Sequence, residues 1–296
     1  MQIIDGRKIQ KEILAEVRRE VSKLSFQPVF TDVLVGDDPA SAQYVRMKGK
    51  MAESVGIRFH NANFPNSIQT DKLITELKKL NKVKNMCGII IQLPLPAHID
   101  RQAALDAIDS RLDVDCLGDV ASGEFYAGLP ERLKIGYPTA LACMKLLDSI
   151  PNIDFKNPHR LGEASKKIVV LGQGMLVGKP VATLLKFRGL NPEIVTSKTP
   201  NKKAIIKNAD VVISGMGRGK YITGEMIKAG AVIIDAGTSE DSKYEPGASA
   251  NIIGDVDTES VQDVASYVSP VPGGVGPVTV AQLLKNVLTV AKSKIR

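Results

Sequence analysis

Two series of strand-like apolar runs, each alternating with helix-like segments, constrain the fold of this chain most. The first series contains the runs VFTDVLVG (29–36), GIRFHNANF (56–64) and CGIIIQLPLP (87–96). The segment CGIII is apolar without interruption, which is typical of a parallel strand buried on both faces. Helical spacing of apolar residues predicts helices at 7–24, 41–55, 71–80 and 99–108.

A second alternation follows a stretch rich in Gly, Asp and Pro at 109–138, which we predict to be the domain boundary. Its predicted strands are KKIVVLG (166–172), PEIVTS (192–197), ADVVISG (209–215), AVIIDAG (231–237) and YVSPV (267–271). A long amphipathic helix is predicted from Thr279 to Lys294. Alternation of this kind predicts βαβ units and parallel sheets, so we expect an α/β protein with two domains.

Composition favours some classes of protein over others. The 296 residues are 44% hydrophobic and 24% charged, as in ordinary globular proteins. The net charge is +7, but the basic residues are scattered, which favours a solvated basic surface over a nucleic-acid site. A third interpretation is that the basic surface attracts an anionic small molecule. Sparse cysteines and the lack of a signal peptide or membrane-length apolar run predict a cytoplasmic protein without a metal site or membrane contact.

The stretch LGQGMLVGKP (171–180) lies between a predicted strand and a predicted helix, where a dinucleotide-binding loop is expected. Glycines there let the backbone approach a pyrophosphate at a helix N-terminus, although a tight turn in an ordinary sheet is the alternative. The next strand ends in VTSKT, without the acidic residue that usually binds the ribose of NAD. A hydroxyl at Ser197 beside a cation at Lys198 therefore points towards NADP.

Two polar groups in the first half are candidates for chemistry. Tyr44 and Lys48 lie four residues apart, so they share one face of the predicted helix. Loss of solvation on this apolar face would favour the neutral amine of Lys48 and make it a usable proton carrier, whereas snorkelling to water is the alternative. Gln92 ends an apolar strand at the edge where open α/β sheets bind ligands; a strand end in solvent is the alternative.

Two loops are further candidates. Asp113 and Asp115 in RLDVDCLGD are open to three readings: metal ligands, formation of a turn, or recognition of a donor-rich heterocycle by one carboxylate. The further ligands that a metal site would need are not evident. In SPVPGGVGPVT (269–279), glycines would let a flat ligand lie against the backbone, and a structural linker is the alternative.

Taken in order, these segments resemble one enzyme family. The matching text is VGDDPAS…YVRMKGK, IIIQLPLP, DVD, VVLGQGMLVGKPVATLL, VIIDAG, GDV and PVPGGVGPVTV. It resembles the bifunctional methylenetetrahydrofolate dehydrogenase/methenyltetrahydrofolate cyclohydrolase family over essentially the whole chain. The resemblance implies a folate-binding catalytic domain at 1–139 and 270–296 and a Rossmann-like NAD(P)-binding domain at 140–269. It also implies a C-terminal helix that returns to the first domain, a folate substrate, NADP or NAD as cofactor, no metal, and a homodimer.

The resemblance assigns roles to individual residues. Lys48 corresponds to the proton-transfer residue of the cyclohydrolase step, and Gln92 to the glutamine that hydrogen-bonds it. Tyr44 corresponds to a tyrosine that lines the folate site, and Asp115 to the aspartate that binds the pterin. The loop that packs against the folate corresponds to Pro272 to Pro277, with Pro272, Gly273 and Gly274 as substrate contacts. The implied cofactor-binding residues are Gly172, Gln173, Gly174, Val177, Gly178, Ser197, Lys198 and Thr238.

Departures from the family pattern fall mainly outside the proton-transfer group. Cys116 and Ala121 stand where the family usually has Gly and Asn, and MGRG (216–219) replaces V-G-x-P. Gln173 stands where a family arginine reaches the 2′-phosphate, so the choice between NADP and NAD stays open. The alternatives are a cyclohydrolase with weak or lost dehydrogenase activity and a nucleotide-binding module without catalysis. A shikimate-dehydrogenase-like enzyme would not explain QLPLP.

Overall fold

The structure is a computed structural model that describes residues 1–129, 134–151, 153, 155, 166–240 and 252–295. The elements before residue 150 are β1 (Gln2–Ile3), α1 (Gly6–Val21), β2 (Val29–Val35), α2 (Pro39–Ser54), β3 (Arg58–Phe64), α3 (Thr70–Leu80), β4 (Met86–Ile91), α4 (Arg101–Asp106), α5 (Asp119–Tyr126) and α6 (Pro138–Leu147). The later elements are β5 (Ile168–Leu171), α7 (Gly178–Phe187), β6 (Glu193–Val195), α8 (Lys202–Lys207), β7 (Val211–Ser214), a single 3₁₀ turn (Gly224–Met226), β8 (Val232–Asp235), β9 (Ser239–Glu240), β10 (Ile252–Ile253), α9 (Thr258–Val261), β11 (Tyr267–Val268) and α10 (Val275–Ser293).

The chain divides into two compact units, each built from two separate segments. One unit comprises Met1–Gln10 and Thr139–Thr279, and the other comprises Lys11–Pro138 and Val280–Arg296. We call them the six-stranded unit and the three-stranded unit after their sheets. The α/β class and the two-domain organisation expected from the sequence are confirmed. The division by function at residues 139, 140, 269 and 270 stays a prediction.

The three-stranded unit is built on a parallel sheet with the order β3-β2-β4. Every residue of the central strand β2 is buried, as expected for a strand covered on both faces. Helix α2 follows it and begins after Asp38, whose carboxylate accepts a hydrogen bond of 2.7 Å from the backbone N–H of Ser41. Pro39, in the first turn, has the fixed φ that suits a helix start.

The C-terminal helix α10 contributes to the same unit. Asn286, which is buried, donates hydrogen bonds to the carbonyl oxygens of Val114 at 2.9 Å and Gly136 at 2.8 Å. Lys285 forms an ion pair with Glu16 of α1 at 3.0 Å. The predicted return of this helix to the first part of the chain is therefore confirmed.

The six-stranded unit contains a parallel sheet with the order β1-β11-β8-β7-β5-β6. Strands β5, β7 and β8 are buried along their whole length. The chain moves outward from β5 to β6, and then back across β5 to β7 and β8. This reversal of strand order is the feature at which doubly wound sheets bind ligands, beyond the carboxyl ends of the strands.

Elements that were not predicted from the sequence include the strand Gln2–Ile3 and the helix Asp119–Tyr126. Gln2–Ile3 pairs with β11, but two residues are too few to show an alternating pattern. Asp119–Tyr126 is a helix inside the predicted boundary stretch, where residues 130–133 lie outside the described part. It buries only Ala121 and Phe125, so it carries almost no helical periodicity. None of the described helices has both the length and the apolar composition needed to cross a membrane.

Candidate active site

Three of the residues predicted to act on the substrate meet around the ammonium group of Lys48. The Lys48 side chain is only 4% exposed, and its Nζ donates a hydrogen bond of 2.8 Å to Gln92 Oε1. The same Nζ lies 4.7 Å from the centre of the Tyr44 ring, within the range of a cation–π contact. The structure thus brings Lys48, Tyr44 and Gln92 together in the three-stranded unit, and Lys48 does not reach out to water.

Local geometry explains why these side chains converge. Tyr44 and Lys48 are four residues apart on α2 and share a face. Gln92 directly follows β4, and its backbone N–H donates to the carbonyl oxygen of Val33 at 2.8 Å. Its Nε2 donates to the carbonyl oxygen of Leu93 at 2.8 Å, which leaves Oε1 directed at the lysine. Gln92 is therefore oriented as an acceptor for an N–H of Lys48.

Asp32 is a member of this group that was not predicted from the sequence. It lies in the middle of β2, is 0% exposed, and places Oδ2 at 2.6 Å from Lys48 Nζ. Burial raises the pKa of Asp32, and the neighbouring Lys48 partly opposes that effect. The available signal was a carboxylate inside VFTDVLV, because a charge in a strand buried on both faces requires a partner.

The two aspartates of the DVD segment have different surroundings. Asp113 is buried and accepts backbone hydrogen bonds of 3.2, 2.8, 2.9 and 2.8 Å from residues 115 to 118, so it shapes the turn. Burial, together with the charges of Asp113 and Asp32, raises the pKa of Asp115 to about 7, although Lys48 opposes the shift. Asp115 is therefore electrostatically linked to the lysine site.

The predicted cofactor residues lie along one edge of the six-stranded sheet. Gly172, at the end of β5, has a φ of 96°, in the left-handed region that favours glycine. A Cβ at Gly178 would overlap the carbonyl oxygen of Gly172, whereas one at Gly174 would meet no atom within 4 Å. Val177 packs its side chain against Gly215. The loop thus presents bare backbone at the N-terminus of a ten-residue helix.

The remaining cofactor candidates follow the neighbouring strands. Ser197 and Lys198 are exposed after β6, and the backbone N–H of Gly172 donates to the carbonyl oxygen of Val195 at 2.9 Å. Thr238 follows β8, and its carbonyl oxygen lies 3.8 Å from a Cβ built at Gly217. The loops after β5, β6, β7 and β8 therefore share one edge, as parallel strands require.

Two residues near these candidates were not predicted to contribute. Lys202 donates from Nζ to the carbonyl oxygen of Ser197 at 3.0 Å, which adds a second cation near Lys198. Asp255 accepts hydrogen bonds from Ser214 Oγ at 2.6 Å and from the N–H groups of Met216 and Arg218 at 2.7 and 2.6 Å. The GDV segment that contains Asp255 predicts only the family resemblance, whereas these hydrogen bonds show that Asp255 holds the loop after β7.

Comparison with known proteins identifies the family. The model of the tetrahydrofolate dehydrogenase/cyclohydrolase catalytic domain matches residues 4–115, and that of the NAD(P)-binding domain of the same family matches residues 138–295. The chain belongs to the tetrahydrofolate dehydrogenase/cyclohydrolase family. The resemblance inferred from the sequence motifs is thereby confirmed.

Relatives of this tetrahydrofolate dehydrogenase/cyclohydrolase family member match it from end to end. The bifunctional protein FolD of Moorella thermoacetica is 40% identical, covering 98% of this chain and 99% of that protein. FolD of Dichelobacter nodosus is 37% identical, and the match covers 99% of this chain and 97% of that protein. A similar solved structure is the crystal structure of Trypanosoma brucei methylenetetrahydrofolate dehydrogenase-cyclohydrolase, complexed with NADP cofactor and an inhibitor. It has a TM-score of 0.88 and 36% identity, and the match covers 99% of this chain and 98% of that chain.

Two departures of this family member from the usual pattern acquire a structural meaning. Cys116 replaces a usual glycine and has a φ of 64°, so the turn after DVD keeps a glycine-like backbone despite the side chain. Gln173 replaces a usual arginine, and its Nε2 donates to the carbonyl oxygen of Gly172 at 3.2 Å. Its amide is therefore turned back onto its own loop.

The pKa of Asp115 leads to a prediction about the stability of this family member. Because that pKa rises from 3.8 to about 7 on folding, the folded protein holds the proton more tightly than the unfolded chain. Stability contributed by this group is present at low pH and is lost as pH rises between these values. Asp115→Asn should therefore gain stability relative to the wild type as pH rises from 4 to 8, by a few kcal/mol at most. Thermal midpoints across this range measure the effect.

The matched control for that experiment is Asp109→Asn. The Arg111 guanidinium lowers the pKa of Asp109, so this carboxylate contributes stability at high pH. The control variant should lose stability relative to the wild type as pH rises. If Asp115→Asn follows the same trend as the control, Asp115 does not have a raised pKa.

The third predicted group, Pro272 to Gly274, belongs to the six-stranded unit, whereas Lys48 belongs to the three-stranded unit. Gly273 has a φ of 113°, and the N–H of Gly274 donates to the carbonyl oxygen of Pro270 at 2.7 Å. A Cβ at Gly6 would overlap the carbonyl oxygen of Gly274, so this turn lies directly against the start of α1. Its contact with folate stays a prediction.

Proposed function

We propose that this protein oxidises 5,10-methylenetetrahydrofolate to 5,10-methenyltetrahydrofolate with NADP or NAD, and then hydrolyses the product to 10-formyltetrahydrofolate. The observation that carries the proposal is the buried ammonium of Lys48 in contact with Gln92 and Tyr44. A purely nucleotide-binding module would have no need of such a group. Membership of a family named for both activities supports the same conclusion.

The six-stranded unit has residues that fit a dinucleotide. Gly172, Gly174 and Gly178 leave backbone accessible at the start of α7, where a diphosphate is favoured. Ser197 and Lys198 offer a hydroxyl and a cation to a 2′-phosphate, and Thr238 lies along the same edge. When bound, the nicotinamide supplies a hydride acceptor for the one-carbon bridge of the folate. The protein contributes orientation to this step rather than a base, because the folate nitrogens stabilise the resulting cation.

The hydrolytic step is assigned to the three-stranded unit. Lys48 acts from its neutral form: Nζ takes a proton from the water that adds to the methenyl carbon and gives a proton to N5. It takes the hydroxyl proton as the C–N5 bond breaks and the formyl C=O forms, so that one proton is released overall. Gln92 Oε1 holds the ammonium in position through the 2.8 Å hydrogen bond. Tyr44 covers the lysine and lines the folate site, while Asp115 binds the pterin. Pro272, Gly273 and Gly274 provide a further surface for the folate.

One observation favours a second candidate function, a cyclohydrolase with weak dehydrogenase activity. Gln173 is neutral and hydrogen-bonds its own loop, so the usual arginine contact with a 2′-phosphate is absent at this position. The two candidates are separated by measuring methylenetetrahydrofolate oxidation with NAD and NADP beside methenyltetrahydrofolate hydrolysis. Hydrolysis without oxidation by either cofactor would establish the second candidate, and loss of both activities would contradict both.

The cofactor preference leads to a mutational prediction. Gln173→Arg should raise the ratio of kcat/KM for NADP to that for NAD by about tenfold or more, because a charged donor to phosphate contributes roughly 1.5–3 kcal/mol. Gln173→Leu is the matched control, since it removes the amide without adding charge and should not favour NADP. An unchanged ratio for Gln173→Arg would mean that residue 173 does not approach the 2′-phosphate.

A homodimer in the cytoplasm completes the proposal. Both statements rest on resemblance to the family and on the composition of the chain. Light scattering coupled to size-exclusion chromatography tests the first, since a dimer has twice the 31.8 kDa mass of the chain. A measured mass equal to that of one chain at micromolar protein concentrations would contradict the homodimer. No nucleic acid or membrane partner is proposed.

A further inference from the structure

The buried carboxylate of Asp32 is the feature of the Lys48 group that the proposed function leaves unexplained. Oδ2 lies 2.6 Å from Lys48 Nζ, and both side chains are almost wholly enclosed. Among the described residues, neither oxygen of Asp32 accepts a hydrogen bond from any group besides Lys48. The backbone of Asp32 pairs with Asn61 on one side and Ile90 on the other, which fixes its place in the centre of the sheet.

A gain in the stability of the fold does not explain the buried ion pair between Asp32 and Lys48. Enclosing two charges costs several kcal/mol each, and their attraction offsets that cost only where further hydrogen bonds complete the pair. Asp32 lacks such hydrogen bonds, which adds the cost of unsatisfied acceptors. An apolar side chain in this strand would fit its buried surroundings better. The ion pair therefore points to a role in the behaviour of Lys48.

We propose that Asp32 is a positioning residue for hydrolysis that exchanges a proton with Lys48 and so delivers the neutral amine at the start of each turnover. This inference rests on the proposed cyclohydrolase activity. The separation of 2.6 Å between Nζ and Oδ2 allows the transfer without an intervening water. The second contact of Nζ, with Gln92 Oε1 at 2.8 Å, keeps the amine in place after the proton has left.

The proton balance of the cycle closes. In the resting pair, Lys48 is an ammonium and Asp32 a carboxylate; the first transfer gives an amine and a carboxylic acid. Water then adds to the cationic methenyl carbon, and Lys48 takes one proton from it. Lys48 next protonates N5 and takes the hydroxyl proton as the C–N5 bond breaks and the formyl C=O forms. Finally, Asp32 loses its proton to solvent, which accounts for the one proton that the overall hydrolysis releases.

The other ionisable groups near the pair do not replace Asp32. Tyr44 lies over the ammonium, and its pKa is raised to about 12 by burial and by the charges of Asp115 and Asp32. Asp113 is occupied by four backbone N–H groups of its turn. Asp115 acts on Lys48 through its charge. Asp32 is the carboxylate in direct contact with Nζ, and burial raises its pKa, which makes it a better proton acceptor.

The pH dependence of hydrolysis tests the proposal. In the wild type, transfer within the pair is internal, so kcat for methenyltetrahydrofolate, after subtraction of the uncatalysed rate, should not depend on loss of a proton from Lys48 to solvent between pH 6.5 and 8.5. Any change caused by Asp115, whose pKa is about 7, is common to the wild type and the Asp32 variants. In Asp32→Asn, Lys48 must lose its proton to solvent. The kcat of the Asp32→Asn variant should therefore be about tenfold or more below that of the wild type at pH 6.5, and it should rise steadily with pH. A change of this size is within the range that acid–base catalysis contributes. Asp32→Leu, which suits an apolar strand, should show the same slope and serves if the asparagine variant folds poorly.

Controls separate this inference from the proposed function. Asp109→Asn changes a carboxylate to an amide in the same unit and should keep the wild-type pH profile. Oxidation of methylenetetrahydrofolate by Asp32→Asn should not acquire the pH slope expected for hydrolysis, because that step needs no base. Asp32 variants with a wild-type profile, a lowered kcat without a change of slope, or a raised kcat would each overturn the proton exchange. A wild type that does not hydrolyse methenyltetrahydrofolate would instead refute the proposed function.

Discussion

Lys48→Met should lower kcat for methenyltetrahydrofolate hydrolysis by about a hundredfold or more, the range that a positioned acid–base group contributes. Methionine has a similar length and fits the enclosed site, but it cannot carry a proton. The variant should remain folded, because burial favours the protonated, neutral form of Asp32 once its counter-ion has gone. Hydrolysis is measured by the disappearance of the methenyl compound, and folding by the thermal midpoint.

Lys50→Met is the matched control for this experiment. Lys50 lies on the same helix, two residues further along, and its side chain is exposed. The control should hydrolyse the methenyl compound at the wild-type rate. Normal hydrolysis by Lys48→Met would rule out Lys48 as the proton-transfer residue, whereas equal losses in both variants would indicate a general effect of substitution in this helix.

The second large effect is expected at the start of α7. A Cβ at Gly178 would overlap the carbonyl oxygen of Gly172, and both atoms belong to a turn with little freedom to move. Gly178→Ala should therefore lower the free energy of unfolding by about 2–4 kcal/mol, as other strained backbone substitutions do. It should also raise the KM for NADP at least about tenfold, because the loop that cradles the dinucleotide is displaced. Hydrolysis should persist, since the Lys48 group belongs to the other unit.

Gly174→Ala separates damage to the loop from contact with the cofactor. A Cβ at this position meets no atom within 4 Å, so its thermal midpoint should match that of the wild type. A raised KM for NADP in this stable variant would place the dinucleotide against Gly174. If Gly178→Ala is as stable as Gly174→Ala and binds NADP normally, the close approach at Gly172 has no energetic consequence.

Much of the Lys48 group could be predicted from local patterns. The four-residue spacing of Tyr44 and Lys48 places them on one helical face, and the end of an apolar strand places Gln92 at the ligand-binding edge of the sheet. Asp32 could not be assigned in this way, because its partner lies 16 positions away on another element. Only the three-dimensional arrangement shows that the buried carboxylate meets the lysine. A charged residue inside an apolar strand indicates that a charge is buried, but it does not identify the partner of that charge.

The fold was predictable where elements are long and periodic. Strands such as β4 and helices such as α2 appear with boundaries shifted by a few residues, because hydrogen bonding at element ends depends on neighbours rather than on propensity. The two-residue strand at Gln2–Ile3 exists only because β11 offers a partner. Asp255 likewise supports the loop after β7 through residues that lie 37 to 41 positions before it in the sequence. Local sequence patterns do not reveal contacts over such separations.

The return of α10 to the three-stranded unit has a consequence for biosynthesis. Asn286 supplies the side-chain N–H groups that bind the carbonyl oxygens of Val114 and Gly136, so these two oxygens have this donor only after α10 has been made. Domains usually fold in the order in which the ribosome delivers them. Here neither unit is a continuous stretch of chain, and the unit that contains Lys48 cannot reach its final packing while its last helix is still inside the ribosome.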